Sequence, residues 1–186
     1  EIPLFRGAIL KSLGNNADLH YHNHTDSSFI YSYPIIQYKR INGKAAIVCI
    51  GKGVDIIGQF LWNFPNEIQL GKRIEKLEIV KVLPRRILIQ IWNDTFTYHM
   101  VKWLPLNAKN YSLYQKTETD EEKLFMLNKI LTANLLSILK GMNIHIDKTI
   151  HVNITNISKP YVLFNKGVGM TAFSIDFNSN LSIPND

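Results

Sequence analysis

The stretch PIIQYKRINGKAAIVCIG (residues 34–51) contains two apolar, β-branched runs that are separated by Asn42-Gly43. An Asn-Gly pair between two such runs is the strongest short-range signal of a β-hairpin, because a type I′ turn needs a positive φ at both of its central residues. The stretch therefore predicts an antiparallel pair of strands, and the first of these strands carries Lys39 and Arg40.

Helices are predicted on both sides of this hairpin. LFRGAILKSL (residues 4–13) places its apolar residues broadly on one side and ends at Gly14, and GVDIIGQFLWNF (residues 53–64) repeats apolar residues at helical spacing. EIQLGKRIEKLEIVKVL (residues 67–83) then returns to a strand pattern. The first half of the chain is expected to run helix, strand, strand, helix, strand.

Two further strands are predicted after Pro84, namely RRILIQIW (residues 85–92) and FTYHMVKWLPL (residues 96–106), with Asn93-Asp94 as the turn between them. A linker rich in Asn and Lys follows. Nearer the C-terminus, the segments HVNITNI, YVLFN and MTAFSIDFNS have the composition and spacing of short strands.

The clearest helix signal begins at Thr119. Thr119 and Glu122 fit the capping-box pattern, and leucines that recur from Leu124 to Leu139 make an apolar stripe. Gly141 is the predicted C-cap of this helix, because a glycine readily adopts the left-handed conformation that ends many helices.

Both halves approach the order β-α-β-β-α-β, although the first lacks an opening strand and the second lacks a clear second helix. Split βαβ units of this kind form antiparallel sheets with helices on one face. Pro84 and the basic pair behind it interrupt two apolar runs, which predicts a boundary at this point. We therefore expect an α+β protein of two domains, residues 1–84 and residues 85–186.

The composition is that of a globular protein with a bias toward polyanionic partners. The 186 residues are 46% hydrophobic and 19% charged, and the formal net charge of +6 favours nucleic acid or an anionic surface. The sequence contains no run of ~18 apolar residues and no signal-peptide pattern. The single cysteine, Cys49, lies in the apolar run AAIVCI and is expected to be a buried thiol. We expect a cytoplasmic protein that binds no membrane.

The segment LHYHNHTDSS (residues 19–28) places His20, His22 and His24 at alternate positions. On a strand, alternate side chains share one face, so three imidazoles could bind Zn²⁺ or a similar metal. The residues around them are typical of a loop, which favours either a surface segment without chemistry or metal-free acid/base catalysis. All three interpretations stay open on spacing alone.

Metal-free cleavage of RNA needs one group to remove the 2′-hydroxyl proton and another to protonate the departing 5′-oxygen. Histidine suits both tasks, because its unperturbed pKa of about 6.5 leaves a usable fraction of each form at neutral pH. Cations would stabilise the extra charge that develops on the phosphorus centre. Lys39, Arg40, Arg85 and Arg86 are the candidates for this role and for RNA binding.

Five segments occur in a characteristic order: FRGAIL, HYHNH, IYSYPIIQYKRINGKAAIVCIGKG, EKLFMLNKILTANLLSILKGM and FSIDFNSNLSIP. In this order the chain resembles the CRISPR-associated repeat-RNA processing endoribonucleases of the RAMP superfamily, in the subtype with an N-terminal His-Asn-His signature. The similarity runs over almost the whole chain, and YPIIQYK is its most distinctive part.

This resemblance implies tandem ferredoxin-like (RRM-like) domains and a cut within the repeat of CRISPR precursor transcripts that needs no metal and no other cofactor. The products would end in a 2′,3′-cyclic phosphate and a 5′-hydroxyl. Carried over by position, His22 and His24 fall on the family's His-Asn-His pair, and the active-site tyrosine falls on Tyr31. His20 is then a bystander, and which histidine is the base stays open.

CRISPR repeat RNA is the partner that the resemblance implies, with CRISPR effector-complex proteins and a second copy of the chain as further partners. Two elements of the family pattern are not found, namely the strand before EIPLFRGAIL and the glycine-rich RNA-binding loop, in whose place SIPND stands. Two alternative functions remain. One is a non-catalytic RNA-binding subunit of a CRISPR effector complex, and the other is a hydrolase with a histidine-bound metal.

Overall fold

The computed structural model shows an α+β protein with antiparallel sheets, as predicted. The residues that it describes are 2–12, 33–62, 64–165 and 167–183. The chain divides into two compact units. The first comprises residues 1–84 with residues 138–144, and the second comprises residues 85–137 with residues 145–186.

The first unit contains two hairpins and two helices in its described part. Its elements, in chain order, are α1 (Ile2–Ser12), β1 (Ile36–Ile41), β2 (Lys44–Cys49), α2 (Lys52–Trp62), β3 (Glu67–Leu70) and β4 (Arg73–Lys76). β1 pairs with β2, and β3 pairs with β4 in a separate sheet. The predicted Asn-Gly hairpin is confirmed, since Asn42 has a φ of 49° and Gly43 a φ of 79°.

The expected single strand over residues 67–83 is wrong, because the chain reverses at Gly71-Lys72. Gly71 has a φ of 63°, which is the left-handed value that the first central residue of a type II′ turn requires. β3 and β4 are therefore two arms of a hairpin in which Leu70 faces Arg73. Residues 77–90 form neither helix nor strand.

The second unit is built on one long strand, β8 (Val168–Leu181). The elements before it, in chain order, are β5 (Ile91–Trp103), α3 (Ala108–Lys116), α4 (Asp120–Gly141), β6 (Val152–Ile157) and β7 (Tyr161–Asn165). β8 pairs antiparallel with β5 and β6, and its N-terminal end pairs with β7. The three strands predicted near the C-terminus are confirmed.

The predicted turn at Asn93-Asp94 is wrong. β5 runs from Ile91 to Trp103 without a break, and its register against β8 shifts between Ile91 and Phe96. Extra residues on one strand of a pair are taken up by a β-bulge. Asn and Asp suit turns because they tolerate unusual backbone angles, and the same tolerance suits an irregular stretch inside a strand.

The helix predicted from Thr119 is confirmed, and so is the half of the capping box in which the Thr119 side chain accepts from the Glu122 amide. The Thr119 hydroxyl accepts a hydrogen bond from the Glu122 amide at 3.2 Å and lies 2.9 Å from the Glu122 carboxylate. Gly141 is the last residue of α4 and is not left-handed, so it is not the predicted C-cap; the left-handed residue is Asn143, with a φ of 56°. The expected linker before this helix contains α3, which Asn107 caps by accepting from the Asn110 amide at 2.8 Å.

The core of the second unit lies between α4 and one face of the sheet. On β8 the alternate residues Phe173, Ile175 and Phe177 are buried, and they pack in one cluster with Leu127 and Leu131 of α4. Side chains of a strand alternate between its two faces. The odd-numbered residues of β8 therefore form the core face, and the even-numbered residues lie on the other face of the sheet.

α4 is long and apolar enough to cross a membrane by length and composition, with a mean hydropathy of 1.2. One stripe of this helix is buried in the protein interior. Leu127, Leu131, Leu135 and Leu139 repeat every four residues on one stripe, and each is at most 3% exposed. The apolar composition of α4 is explained by this buried stripe.

Candidate nucleic-acid interface

The predicted catalytic residues His22, His24 and Tyr31 lie outside the described residues, as does His20. The structure describes the chain on either side of them. α1 ends at Ser12, whose hydroxyl donates to the Ile9 carbonyl at 2.9 Å.

Two glycines hold the backbone that follows Tyr31. A Cβ atom on Gly141 of α4 would lie 2.5 Å from the Tyr33 Cβ, and a Cβ atom on Gly53 of α2 would lie 2.6 Å from the Ile35 carbonyl oxygen. The Ile35 carbonyl also accepts a hydrogen bond from the Ile50 amide at 2.8 Å. Only glycine permits such close approach, so the end of this segment has a fixed place in the first unit.

Lys39 and Arg40 are adjacent in β1 and therefore lie on opposite faces of the hairpin. Arg40 shares its face with Tyr38, which packs against Phe5 of α1 at a ring-centroid distance of 5.9 Å. Arg40 is exposed, and its Nε donates to the Gly43 carbonyl at 3.3 Å. The two predicted RNA-binding residues of β1 are thus separated rather than brought together.

Tyr38 places a phenol inside the cluster that α1 and the hairpin form. Burial raises the pKa of Tyr38, although the positive charge of Arg6 works in the opposite direction. Within the described part of the chain its buried hydroxyl has no hydrogen-bond partner. The phenol is therefore neutral near pH 7, and it can donate a proton in a hydrogen bond but cannot serve as a base.

Cys49, at the end of β2, is half-buried, and burial raises the pKa of its thiol to about 11. It therefore stays a thiol near neutral pH, as expected of an unreactive cysteine.

Arg85 and Arg86 are both exposed and lie in the irregular stretch of residues 77–90. They begin the second unit. Several apolar side chains of the same stretch are also exposed, namely Val80, Val82, Leu83, Ile87 and Leu88. The two arginines are accessible to a phosphate backbone, whereas no strand or helix fixes their direction.

Arg73 is a basic residue that is not among the predicted RNA-binding residues. Arg73 and Arg40 both line a cavity of about 200 Å³. The other lining residues include Leu4 and Phe5 of α1, Ala45 of β2 and Leu70 of β3. The signal that would have found Arg73 is Gly71, because a turn at that position brings Arg73 opposite Leu70. We call this cavity the Arg40–Arg73 recess.

The solvent face of the second unit's sheet carries a polar network. His99 of β5 donates from Nδ1 to an oxygen of Asp176, and Asn156 of β6 donates to the other oxygen at 3.0 Å. Beside them the Thr97 hydroxyl donates to the Asn178 side chain at 2.9 Å. The hydrogen bonds from His99 and Asn156 hold the pKa of Asp176 below its ordinary value, so the carboxylate is ionised near neutral pH.

Within residues 2–12, 33–62, 64–165 and 167–183, no group of three or more His, Cys, Asp or Glu side chains is arranged to hold a metal ion. The three histidines of the HYHNH segment are outside these ranges.

Both halves of the chain match the family profiles of one protein family. Residues 1–87 match the Cas6b N-terminal domain, and residues 90–186 match the Cas6b C-terminal domain.

The chain is also similar to two solved structures. A crystal structure of Cas6b is 26% identical with a TM-score of 0.81, and the match covers 96% of this chain and 81% of that one. A crystal structure of the CRISPR RNA processing endoribonuclease Cas6b is 24% identical with a TM-score of 0.64, and the match covers 83% of this chain and 73% of that one. The likeness is consistent with the predicted tandem ferredoxin-like domains.

An uncharacterized protein of Methanocaldococcus jannaschii is 31% identical over 83 residues. The match covers 45% of this chain and 55% of that protein, so this chain spans about half the length of the relative.

Proposed function

We propose, since this chain belongs to the Cas6b family, that it is a metal-independent endoribonuclease that binds CRISPR repeat RNA and cleaves it in precursor transcripts. One observation carries the proposal: the family profiles match both halves of the chain, over residues 1–87 and 90–186. One of the two similar solved structures is a CRISPR RNA processing endoribonuclease, which supports RNA as the substrate.

In the proposed reaction, one of His22 and His24 takes the proton of the 2′-hydroxyl. The 2′-oxygen forms a bond to the adjacent phosphorus, and the bond from phosphorus to the 5′-oxygen breaks. The other histidine, with the help of Tyr31, gives a proton to that leaving oxygen. The products are a 2′,3′-cyclic phosphate and a 5′-hydroxyl, and the proton transfers would contribute roughly 10²–10⁴-fold to the rate.

The RNA backbone is proposed to contact Lys39, Arg40, Arg85 and Arg86. Arg40 and the Arg85–Arg86 pair are exposed, which supports phosphate contacts that position the RNA without reading its sequence. Lys39 lies on the other face of β1 from Arg40, so we assign it to charge stabilisation rather than to the same phosphate.

We further propose two domains, residues 1–84 and residues 85–186, and a cytoplasmic location. The net charge of +6 suits a protein whose partner is RNA. CRISPR effector-complex proteins and a second copy of the chain are the further partners proposed.

The test is cleavage of the cognate repeat RNA by the full chain in EDTA, followed by mapping of both product ends. We expect cleavage in EDTA with a cyclic phosphate on one product. His22→Ala combined with His24→Ala should lower the cleavage rate at least about 100-fold, because it removes both proton carriers.

His20→Ala is the matched control, since it removes an imidazole two residues away and should leave cleavage unchanged. Full cleavage in EDTA by the double variant would contradict the roles of His22 and His24. Tight RNA binding without cleavage by the wild type would favour the non-catalytic subunit. Cleavage that is lost in EDTA and restored by Zn²⁺ would favour the metal-dependent hydrolase.

A further inference from the structure

The Arg40–Arg73 recess combines two cations with an apolar floor. Arg40 comes from the β1–β2 hairpin and Arg73 from the β3–β4 hairpin, and both line the same cavity beside the first turns of α1. Leu4, Phe5 and Leu70 supply apolar surface, and Leu4 remains 53% exposed. A solvent-exposed leucine beside two guanidinium groups suits a ligand that has both an apolar face and negative charge.

The polar atoms of the two arginines are only lightly used. Arg40 donates from Nε to the Gly43 carbonyl at 3.3 Å. Arg73 makes one long contact of 3.7 Å from Nε to the Glu75 carboxylate, between side chains that are 74% and 46% exposed. An exposed ion pair of this kind contributes little to stability, so the Arg73 guanidinium is available to a stronger anionic partner.

The dimensions of the recess restrict what it can hold. Its volume of about 200 Å³ is below the roughly 300–1,000 Å³ of sites for drug-sized ligands. One planar ring system with a phosphate at the rim is a suitable occupant. A guanidinium plane stacks on nucleobases and also pairs with phosphate oxygens through two parallel hydrogen bonds.

We propose that the Arg40–Arg73 recess binds one unstacked nucleotide of a single-stranded RNA segment. Its base lies against Leu4, Phe5 and Leu70, and its phosphate is held by Arg40 and Arg73. The inference rests on the proposed function, which makes RNA the ligand. It adds Arg73 and the apolar floor of the recess to the proposed RNA-binding residues.

The experiment measures the affinity of fluorescein-labelled repeat RNA for the full chain in EDTA, in the His22→Ala/His24→Ala background so that the RNA stays intact. Arg73→Ala should weaken binding about tenfold, because it removes one of the two guanidinium groups that hold the phosphate. Lys72→Ala is the matched control, because it removes the same charge from the same turn at a residue that does not line the recess. It should weaken binding no more than about threefold.

Two further variants separate the recess from general electrostatics. Arg73→Lys keeps the charge but loses the planar group, so it should restore only part of the affinity. Leu4→Ser changes no charge and alters a half-exposed side chain. It should weaken binding by about fivefold to tenfold, because it removes apolar surface that the base covers. Unchanged circular dichroism and melting temperature would show that each variant is folded.

Equal weakening by Arg73→Ala and Lys72→Ala, or full affinity in Leu4→Ser, would overturn the proposal. Displacement of the RNA by micromolar uridine monophosphate would also overturn it, because the recess would then be a site for free nucleotides. If the proposal for the recess is wrong, the wild-type protein should still cleave the repeat RNA. If the proposed function is wrong, the wild-type protein itself should not cleave the repeat RNA.

Discussion

The two units of this protein differ in how their strands are used. In the described part of the first, four short strands form two separate hairpins, and the buried residues of its apolar cluster are Ala8, Ile9, Phe60 and Ile68. In the second, β8 pairs with three strands in one sheet, and a helix with a buried leucine stripe covers one of its faces. Within the described residues, β8 pairs with more than one strand, whereas each strand of the first unit pairs with a single partner.

In the described residues, the strands of the first unit are therefore supported by helix packing, and those of the second unit by a larger sheet as well. An isolated two-stranded hairpin is marginally stable in water, so each hairpin of the first unit depends on α1 and α2 for its packing. Large apolar residues are exposed in both units, for example Trp62 at 89% in the first and Phe164 at 78% in the second. The recess, the hairpin arginines and the two glycines beside Tyr33 and Ile35 all belong to the first unit.

The largest expected effect comes from the core of the second unit. Phe173→Ala should lower the free energy of unfolding by about 3–5 kcal/mol, because Phe173 is 1% exposed and packs against Trp103 and Tyr114. Trp62→Ala removes a larger side chain from the first unit, but it should change the free energy of unfolding by less than about 0.5 kcal/mol. Urea denaturation measures both. A similar loss of stability in the two variants would contradict the difference in burial between Phe173 and Trp62.

A smaller effect is expected where α4 contacts the backbone near Tyr31. Gly141→Ala should lower the free energy of unfolding by about 1–3 kcal/mol, because the new methyl group overlaps Tyr33. Gly58→Ala is the control, since nothing lies within 4 Å of that position in α2, and it should raise stability by about 0.5–1 kcal/mol. Thermal melting measures both changes.

Gly141→Ala should also slow cleavage at saturating RNA, because it displaces the chain two residues after Tyr31. A wild-type cleavage rate in a folded Gly141→Ala protein would show that this contact does not position the proposed site.

The smallest effect concerns the polar face of the second sheet. A depressed pKa means that Asp176 adds stability above the unfolded-state pKa of about 3.9 and loses it as the pH falls through the folded-state value. The melting temperature of Asp176→Asn should therefore lie below that of the wild type near pH 6, and the difference should shrink below about pH 4. Asp94→Asn is the control at an exposed position of β5, and it should leave the melting temperature unchanged near pH 6.

Local signals in the sequence predicted the elements whose geometry is decided within a few residues. Asn42-Gly43 specifies a two-residue turn, and Thr119 with Glu122 specifies a helix start, because both depend only on adjacent backbone groups. Asn93-Asp94 has the same turn chemistry, yet it lies inside β5, because the strand pairs with β8 on either side of it, at Ile91 and at Phe96. Gly141 similarly serves close packing against Tyr33 rather than a cap.

The candidate site was less accessible to sequence reasoning. His22, His24 and Tyr31 came from the resemblance, and their roles stay a prediction because they lie outside the described residues. Lys39 and Arg40 are neighbours in sequence but not on one face of β1. The neighbour of Arg40 in the recess is Arg73, 33 positions later in the chain, and no periodicity within either hairpin could reveal that pair.

The long pairings of β8 also have a consequence for synthesis of the chain. Thr97 and Asn178 are hydrogen-bonded across 81 positions of sequence, so β5 leaves the ribosome long before its partner exists. At about 5–20 residues per second the delay is roughly 4–16 s. During this interval the exposed polar residues of β5, among them Asp94, Thr97 and His99, would limit pairing of the waiting strand with other chains.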